Sequence, residues 1–488
     1  MLAGLFSVRI LLNALGVEDY GIYNAVAGVV TLFSFLSSSM ASATQRYFSF
    51  ALGKNDNTLL NKIFCTNFLV YMLIALAAIV ILETAGLWFV NCKLVVPGGR
   101  LAEINWVYQF TIMTLVCQIF TSPLIAIIIA HEDMHFYTYV SSFDVLLKLL
   151  VAFAIYLFKG NKIVYYAFLH LFAIALNVSV YLLLCWRKYP ECRLHFGKYD
   201  KTLLKEIFSF TGWTLFGSMT AAVRGHLLTL LLNQMFTPVV VAAKVIALNV
   251  SGVASSFSNN FNIGLYPPIV KSYASDAREE MYQLIYDGSK ITFFLMWILS
   301  LPLLLRMDYL LTLWLKNPPD GVVLFAQLAL IESLILSVSL PLTTAARAAG
   351  NMKAYELTLG SMQLAIFPIS WIVLKFGAPA YSIFMVAIAV NILMFFARLI
   401  LVRRMTELPA FHFILTVVLP VSAVAVLSLL PGWYISRMLP AGFSGTFFTG
   451  VLTFVLSCVI MFFLGFDRKQ KQKVWTMFKH KLSGVFHI

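Results

Sequence analysis

Eight charged side chains lie inside long apolar stretches of this sequence, where a charge is costly and therefore informative. They are Arg9, Arg46, Asp144, Lys148, Arg224, Lys244, Glu332 and Arg347. A charge at the centre of a bilayer costs about 3 kcal/mol or more, so such side chains face a partner, a cavity or water rather than lipid. Cations outnumber carboxylates in this set, which predicts an internal cavity that favours an anionic ligand.

The arginines have the right chemistry for a phosphate-bearing ligand. A guanidinium binds a diphosphate through two parallel hydrogen bonds, which a lysine cannot do. We expect Arg9 and Arg224 to line a central cleft and contact such a group; the alternative is that they pair with structural partners. Arg46 and Arg347 would meet the ligand at one membrane surface or extend to the interface, and Lys244 would meet it near the other surface.

The two carboxylates are candidates for coupling transport to protons or cations. Asp144 precedes Lys148 by four residues, so on a helix the two share a face and can neutralise each other as a structural pair. Glu332 is flanked by apolar residues on both sides, and it must therefore face protein or water. Its alternatives are a cation or proton site and a structural partner for a buried arginine.

One apolar stretch carries an unusual run of small polar side chains. The run comprises Ser251, Ser255, Ser256, Ser258, Asn259, Asn260 and Asn262. Small hydroxyl residues allow membrane helices to pack closely. The alternative is a hydrophilic lining that exchanges hydrogen bonds with sugar hydroxyls, and on that interpretation Asn260 contacts the ligand.

The elements that hold these residues are membrane-spanning helices. Of 488 residues, 61% are hydrophobic and 11% are charged, against about 45–50% and about 25% in soluble proteins. We count about fourteen stretches that approach the roughly 20 apolar residues of a transmembrane helix, which predicts an all-α polytopic membrane protein. The first stretch, 2–15, is too short to span, and no basic segment or cleavage site typical of a signal peptide accompanies it. We therefore expect the chain to begin inside a truncated helix.

An internal repeat suggests two similar halves. The segment LGVEDYGIYNAVAG with SSSMASATQRY resembles VVVAAKVIALNVSGVASSFSNN at an offset of about 220 residues, and such repeats are frequent in transporters. The predicted organisation is an N-terminal six-helix lobe (1–186), a basic linker (187–206), a C-terminal six-helix lobe (207–404), two additional helices (405–466) and a basic tail (467–488).

The distribution of Lys and Arg predicts the orientation. The linker and the tail are strongly basic, so both should be cytoplasmic, as should both termini. The net charge of +14 then reflects topology and attraction to anionic inner-membrane lipids, and no nucleic-acid partner is predicted because no nucleic-acid-binding module accompanies it. The six cysteines show no metal-ligand spacing and no P-loop is present, so no metal and no cofactor are predicted.

Four segments together resemble a known family. ALGVEDYGIYNAVAGVV, SSSMASATQRYFSFALGKND, PLIAIIIAHEDM and NQMFTPVVVAAKVIA are similar to bacterial polysaccharide flippases of the multidrug, oligosaccharidyl-lipid and polysaccharide exporter superfamily. The resemblance covers about 11–407. It implies a MATE-like fold of twelve or fourteen helices that flips undecaprenyl-diphosphate-linked oligosaccharides across the bacterial inner membrane, with a polysaccharide polymerase and glycosyltransferases as partners.

Two other functional classes, an exporter of cationic drugs and an enzyme, are alternatives to a flippase. A cation-coupled multidrug exporter on the same scaffold would need a site lined by carboxylates and aromatic side chains, whereas the predicted spans hold more arginine and lysine than acid. An enzyme that handles the same lipid-linked substrate would need acid, base or nucleophile groups in sizeable outer loops. The outer loops here are short and no hydrolase or protease motif occurs in a usable context, so the sequence favours a carrier.

Overall fold

The computed structural model describes residues 10–11, 14–31, 33–92, 100–158, 160–192, 200–440, 442–467 and 471–472. Within these ranges every regular element is helical and there is no strand. Twelve of the helices are long and apolar enough to cross a membrane. The prediction of an all-α polytopic membrane protein is therefore confirmed. Most of the short first stretch, 2–15, lies outside the described residues.

The described residues within 1–219 and 270–277 form one compact unit, unit 1. Its helices are α1 (Val17–Thr31), α2 (Ser34–Gly53), α3 (Thr58–Cys92), α4 (Leu101–Ala130), α5 (Met134–Leu157), α6 (Lys162–Lys188) and the first part of α7 (Lys201–Met235). The central element is α4, which packs against α2 and α6 and is the most buried of the candidate spans. The buried Tyr108 hydroxyl of α4 donates to the Leu82 carbonyl of α3 at 2.7 Å.

One predicted span of unit 1 is divided. The sequence predicts a single helix over 21–52, but α1 ends at Thr31 and α2 begins at Ser34, with a turn at Phe33. The Phe33 amide donates to the Val30 carbonyl at 3.0 Å. The segment that follows is rich in serine, and serine side chains compete for backbone hydrogen bonds and weaken helix continuity.

The described residues within 220–269 and 278–488 form the second compact unit, unit 2. Its helices are the second part of α7, most of α8 (Pro238–Ala274), α9 (Arg278–Leu315), α10 (Val322–Ala349), α11 (Met352–Lys375), α12 (Ser382–Thr406), α13 (Ala410–Met438) and α14 (Phe443–Gly465). The division between the units falls inside α7 and near the end of α8, and the lobe boundaries drawn from the sequence remain predictions.

The two additional helices, α13 and α14, are attached to unit 2 through α9. Both pack on α9 and on each other. Trp297 donates its indole N–H to Ser428 Oγ at 2.8 Å. Further along α9 the backbone leaves helical geometry at Arg306 (φ −127°, ψ 26°). The Arg306 guanidinium then donates to the Leu439 carbonyl at 2.9 Å.

Candidate transport site

A buried carboxylate lies at the centre of a hydrogen-bonded group in unit 2. Glu332 Oε1, on α10, accepts from the Arg224 guanidinium of α7 at 2.7 Å and from Asn391 Nδ2 of α12 at 3.0 Å. The side chains of Arg224 and Glu332 are only 16% and 7% exposed. Three helices that are far apart in the sequence thus converge on one carboxylate. The sequence leaves two alternatives for Glu332, a cation or proton site and a structural partner for a buried arginine. The contacts of Glu332 are those of a partner for an arginine.

Lys244 is a second buried cation in the same group. Its ammonium on α8 donates to Thr229 Oγ1 at 2.7 Å and to the Gly225 carbonyl at 3.0 Å. It lies close enough to Arg224 and Glu332 for their charges to act on it. Two cations therefore lie near one carboxylate, and the local charge is positive when both are protonated. We call Arg224, Lys244, Glu332 and Asn391 the charge cluster.

Unit 2 also contains a polar crevice of about 240 Å³ between α8, α9, α10 and α12. Its lining consists of Ser255, Ser258, Asn259, Met296, Ser333, Leu336, Ser337, Ser339, Leu340, Thr343 and Arg398. Most of these side chains carry a hydroxyl or an amide, and Arg398 supplies the one formal charge among them. The crevice is smaller than a drug-sized pocket of about 300–1,000 Å³, so it fits a single small polar group.

The polar groups at the crevice are held by specific contacts. Arg398 Nε donates to Tyr355 Oη at 2.9 Å, and Tyr355 Oη lies 3.1 Å from Thr343 Oγ1. These contacts orient the guanidinium. Ser339 is 2% exposed, and its Oγ has no hydrogen-bond partner within the described structure. A buried hydroxyl without a partner costs about 1–3 kcal/mol, which a hydrogen-bonding ligand would recover.

A second carboxylate lies near this crevice. Glu356 on α11 is buried, and the charges of Arg347 and Arg398 act on it. Sequence analysis missed Glu356, Arg398 and Asn391. The signal for Arg398 was present, because this arginine lies within an apolar stretch as clearly as Arg224 does. Glu356 and Asn391 lacked a comparable signal, since one is near a helix end and the other is uncharged.

The remaining predicted residues lie elsewhere. Asp144 and Lys148 form an ion pair at 2.6 Å on α5 in unit 1, with both side chains partly exposed. The Arg46 guanidinium lies over the rings of Tyr47 and Phe210, at 4.7 and 5.2 Å from their centroids. Arg9 lies outside the described residues.

Asn260 is exposed and is not part of the crevice lining, whereas its neighbour Asn259 is. Consecutive residues of a helix point about 100° apart, so a position cannot be assigned to a cavity from a polar run alone. Of the polar run, Ser255, Ser258 and Asn259 reach the crevice.

The chain is similar in structure to solved MATE transporters. An outward-facing multidrug resistance MATE family transporter of the MOP superfamily superposes with a TM-score of 0.70 at 11% identity, covering 84% of this chain and 92% of that one. A eukaryotic MATE transporter gives 0.68 at 14% identity, with 83% and 94% covered. A MOP superfamily transporter from Pyrococcus furiosus, described with a binding pocket of reversed polarity that suggests a different function, gives 0.65 at 12% identity, with 83% and 92% covered.

These likenesses confirm the predicted MATE-like fold. At 10–14% identity they establish the fold alone. No protein-family model and no curated protein matches the sequence.

Proposed function

We propose that this protein is a membrane transporter that moves undecaprenyl-diphosphate-linked oligosaccharides from the cytoplasmic to the outer leaflet of the bacterial inner membrane by alternating access. The observation that carries the proposal is the sign of the buried charge in unit 2. In the charge cluster and around the crevice, four cations (Arg224, Lys244, Arg347, Arg398) accompany two carboxylates (Glu332, Glu356). A net positive interior favours an anionic cargo.

The crevice offers a way to hold a polar part of such a cargo. Arg398 is oriented through Nε, which leaves the other side of its planar fork for an oxyanion. The surrounding serine and threonine oxygens and the Asn259 amide can exchange hydrogen bonds with sugar hydroxyls. The volume of about 240 Å³ suits one phosphoryl group or one sugar ring, so we expect the rest of the cargo to lie outside it.

The Arg224–Glu332 pair suggests how binding and coupling are linked. Arg224 donates to Glu332 through Nη2, so a cargo phosphate that takes both terminal nitrogens of the guanidinium must displace Glu332 from Nη2. A displaced, buried carboxylate is costly unless it takes up a proton or a cation. Uptake of that ion would therefore accompany binding of the anionic cargo, and its release would accompany re-formation of the pair.

The fold supports a second candidate, a cation-coupled multidrug exporter, because a solved neighbour is a multidrug resistance transporter. A site for lipophilic cations needs carboxylates that are not already neutralised. Both of these buried carboxylates, Glu332 and Glu356, lie beside arginines. We therefore prefer the anionic cargo. The transporter from P. furiosus is described with a binding pocket of reversed polarity that suggests a different function. Pocket polarity therefore differs between transporters of this fold.

The test is transport by the full chain in reconstituted vesicles. A fluorescent undecaprenyl-diphosphate oligosaccharide should be translocated, whereas ethidium or a similar lipophilic cation should not. Arg398→Gln should reduce the rate at least about tenfold, as expected for loss of a charge-assisted hydrogen bond worth about 1.5–3 kcal/mol. The control is Arg404→Gln, at the exposed end of the same helix, which should transport normally. Translocation of the cation but not of the lipid would establish the exporter instead.

This function also implies where the protein is located and which proteins act with it. The protein would be a multi-pass inner-membrane protein with cytoplasmic termini, in contact with anionic lipids. A polysaccharide polymerase and glycosyltransferases would act after and before it on the same lipid-linked chain.

A further inference from the structure

Unit 1 contains an apolar groove of about 720 Å³ on the surface of α4, flanked by α3 and α6. Phe64 and Phe68 of α3 form one wall, one helical turn apart, and Val178, Leu182 and Trp186 of α6 form the other at the same spacing. The floor is the α4 segment that includes Cys117, Phe120 and Pro123. All of these side chains are apolar or nearly so, which suits a hydrocarbon ligand.

One end of the groove lies at a short turn, and its walls are open to the side. Cys192, in the turn Pro190–Cys192, lines this end together with Cys185. The turn is held in place because Asn61 of α3 donates to the Glu191 carbonyl at 2.9 Å and the Glu191 carboxylate bonds His131 at 2.6 Å. The outer walls are exposed, with Leu182, Leu183 and Trp186 each more than half accessible. Lipid can therefore reach the groove laterally.

A basic side chain lies at the same end. Arg187 is exposed and follows the lining residue Leu183 by four residues, so the two share a face of α6. A tryptophan beside basic residues is typical of the membrane interface, and basic groups at the end of a helix groove attract anionic lipid head groups. The groove thus begins at the level of the head groups and runs into the hydrocarbon.

We propose that this groove binds one acyl chain of an anionic phospholipid whose head group lies against Arg187. The length of the groove fits an acyl chain that spans one leaflet of the bilayer rather than a longer lipid chain. From Val178 to Trp186 the groove extends eight residues, or about 12 Å of helix, close to the roughly 15 Å depth of one leaflet. A polyprenyl chain would extend far beyond it. This lipid site is independent of the transported cargo.

Native mass spectrometry of the full chain tests the site. The probes are phosphatidylglycerol and phosphatidylcholine with identical acyl chains. The unaltered protein should retain phosphatidylglycerol at a lower concentration than phosphatidylcholine, by about fivefold. Arg187→Gln should lose this preference, and Val178→Trp, which fills the groove, should lose the tightly held lipid itself.

Matched controls separate the site from general lipid contact. Leu146→Trp places the same side chain at an exposed position of α5, and Arg403→Gln with Arg404→Gln removes two exposed charges at the end of α12. Neither should change retention. Equal retention of both lipids, equal effects of the control variants, or displacement of phosphatidylglycerol by equimolar polyprenyl phosphate would overturn the proposal.

A second measurement avoids groove-filling variants. Phosphatidylglycerol with brominated acyl chains should quench a part of the tryptophan fluorescence at low lipid concentration, and Trp186→Phe should remove that part. The proposal fails if the quenching curve is the same with and without Trp186.

Discussion

The contacts of Glu332 define what its neighbours can do. The carboxylate accepts from both Arg224 and Asn391 in a buried setting. Removing one partner of a buried pair leaves an uncompensated charge, whereas removing both charges together is often neutral. Stability and transport should therefore respond differently to single and double substitution, and this difference distinguishes a structural pair from a cargo site.

For the Arg224–Glu332 pair, we expect Arg224→Gln to destabilise the protein by about 3 kcal/mol and to abolish transport. Adding Glu332→Gln should restore the thermal stability of the purified protein but not transport, if the guanidinium binds cargo. Arg224→Lys should rescue poorly, since an ammonium cannot form the bidentate fork. Normal transport by the double variant would show that the pair is only structural.

For energy coupling, the candidates are Glu332 and Asp144. Moving one charge through the field is worth about 2.3 kcal/mol per 100 mV, which is enough to bias alternating access. Replacing either carboxylate by its amide should make transport insensitive to pH or sodium, or stop it. In reconstituted vesicles, normal ion dependence in both Glu332→Gln and Asp144→Asn would rule out these residues as coupling sites.

A third residue, Glu191, should make the stability of the folded protein depend on pH. Burial alone raises the pKa of this carboxyl, but hydrogen bonds from His131 and from its own backbone N–H hold the pKa below its ordinary value. A lowered pKa in the folded state contributes stability above about pH 4.5 that is lost as the pH falls through the folded pKa.

The thermal midpoint of the purified protein should therefore fall in acid more steeply than that of Glu191→Gln. The exposed Glu280→Gln is the control and should keep the full slope. If the Glu191 and Glu280 variants have the same acid dependence, the His131–Glu191 contact contributes nothing to stability.

At the scale of elements, the position of α14 depends on a close backbone approach. This helix begins at Phe443, shortly after α13 ends, and a Cβ on Gly445 would overlap the carbonyl oxygen of Pro440. The backbone cannot move away cheaply, because the Leu439 carbonyl is held by Arg306 of α9. A small residue at this position is therefore part of how the two additional helices attach.

The change that tests this approach is Gly445→Ala, which should lower the thermal stability by about 1–3 kcal/mol, the usual cost of overpacking. Gly450→Ala lies in the same helix with open space around its Cβ position. It should be neutral or stabilise by up to about 1 kcal/mol, the difference in helix propensity. Equal midpoints for the two variants in thermal unfolding would contradict the packing argument.

At the scale of the whole molecule, the twelve long helices imply a defined orientation in the bilayer. The basic segment 187–206 should be cytoplasmic because positively charged loops are retained inside. Cys92, at the end of α3 and exposed, should then face the opposite side, since three spans (α4, α5 and α6) lie between it and this segment.

Labelling of spheroplasts with a membrane-impermeant maleimide checks this topology. Cys92 should react, and Thr202→Cys, introduced at an exposed position of α7 in a Cys92→Ser background, should react only after lysis. The reverse pattern would invert the orientation and with it the proposed direction of transport.

The sequence by itself determined the membrane class and the approximate number of helices, because long apolar runs have no other solvent. It also identified Arg224 and Glu332 as candidates, because charges within such runs are rare. Tertiary structure decided the contacts. It joined Arg224 to Glu332 and Asn391, brought Arg398 beside Tyr355, placed Asn259 rather than Asn260 at the crevice, and opened a groove on α4. These outcomes depend on which helix faces pack together, and a hydrophobic membrane helix carries almost no periodic signal for its facing direction, since both lipid and protein neighbours are apolar.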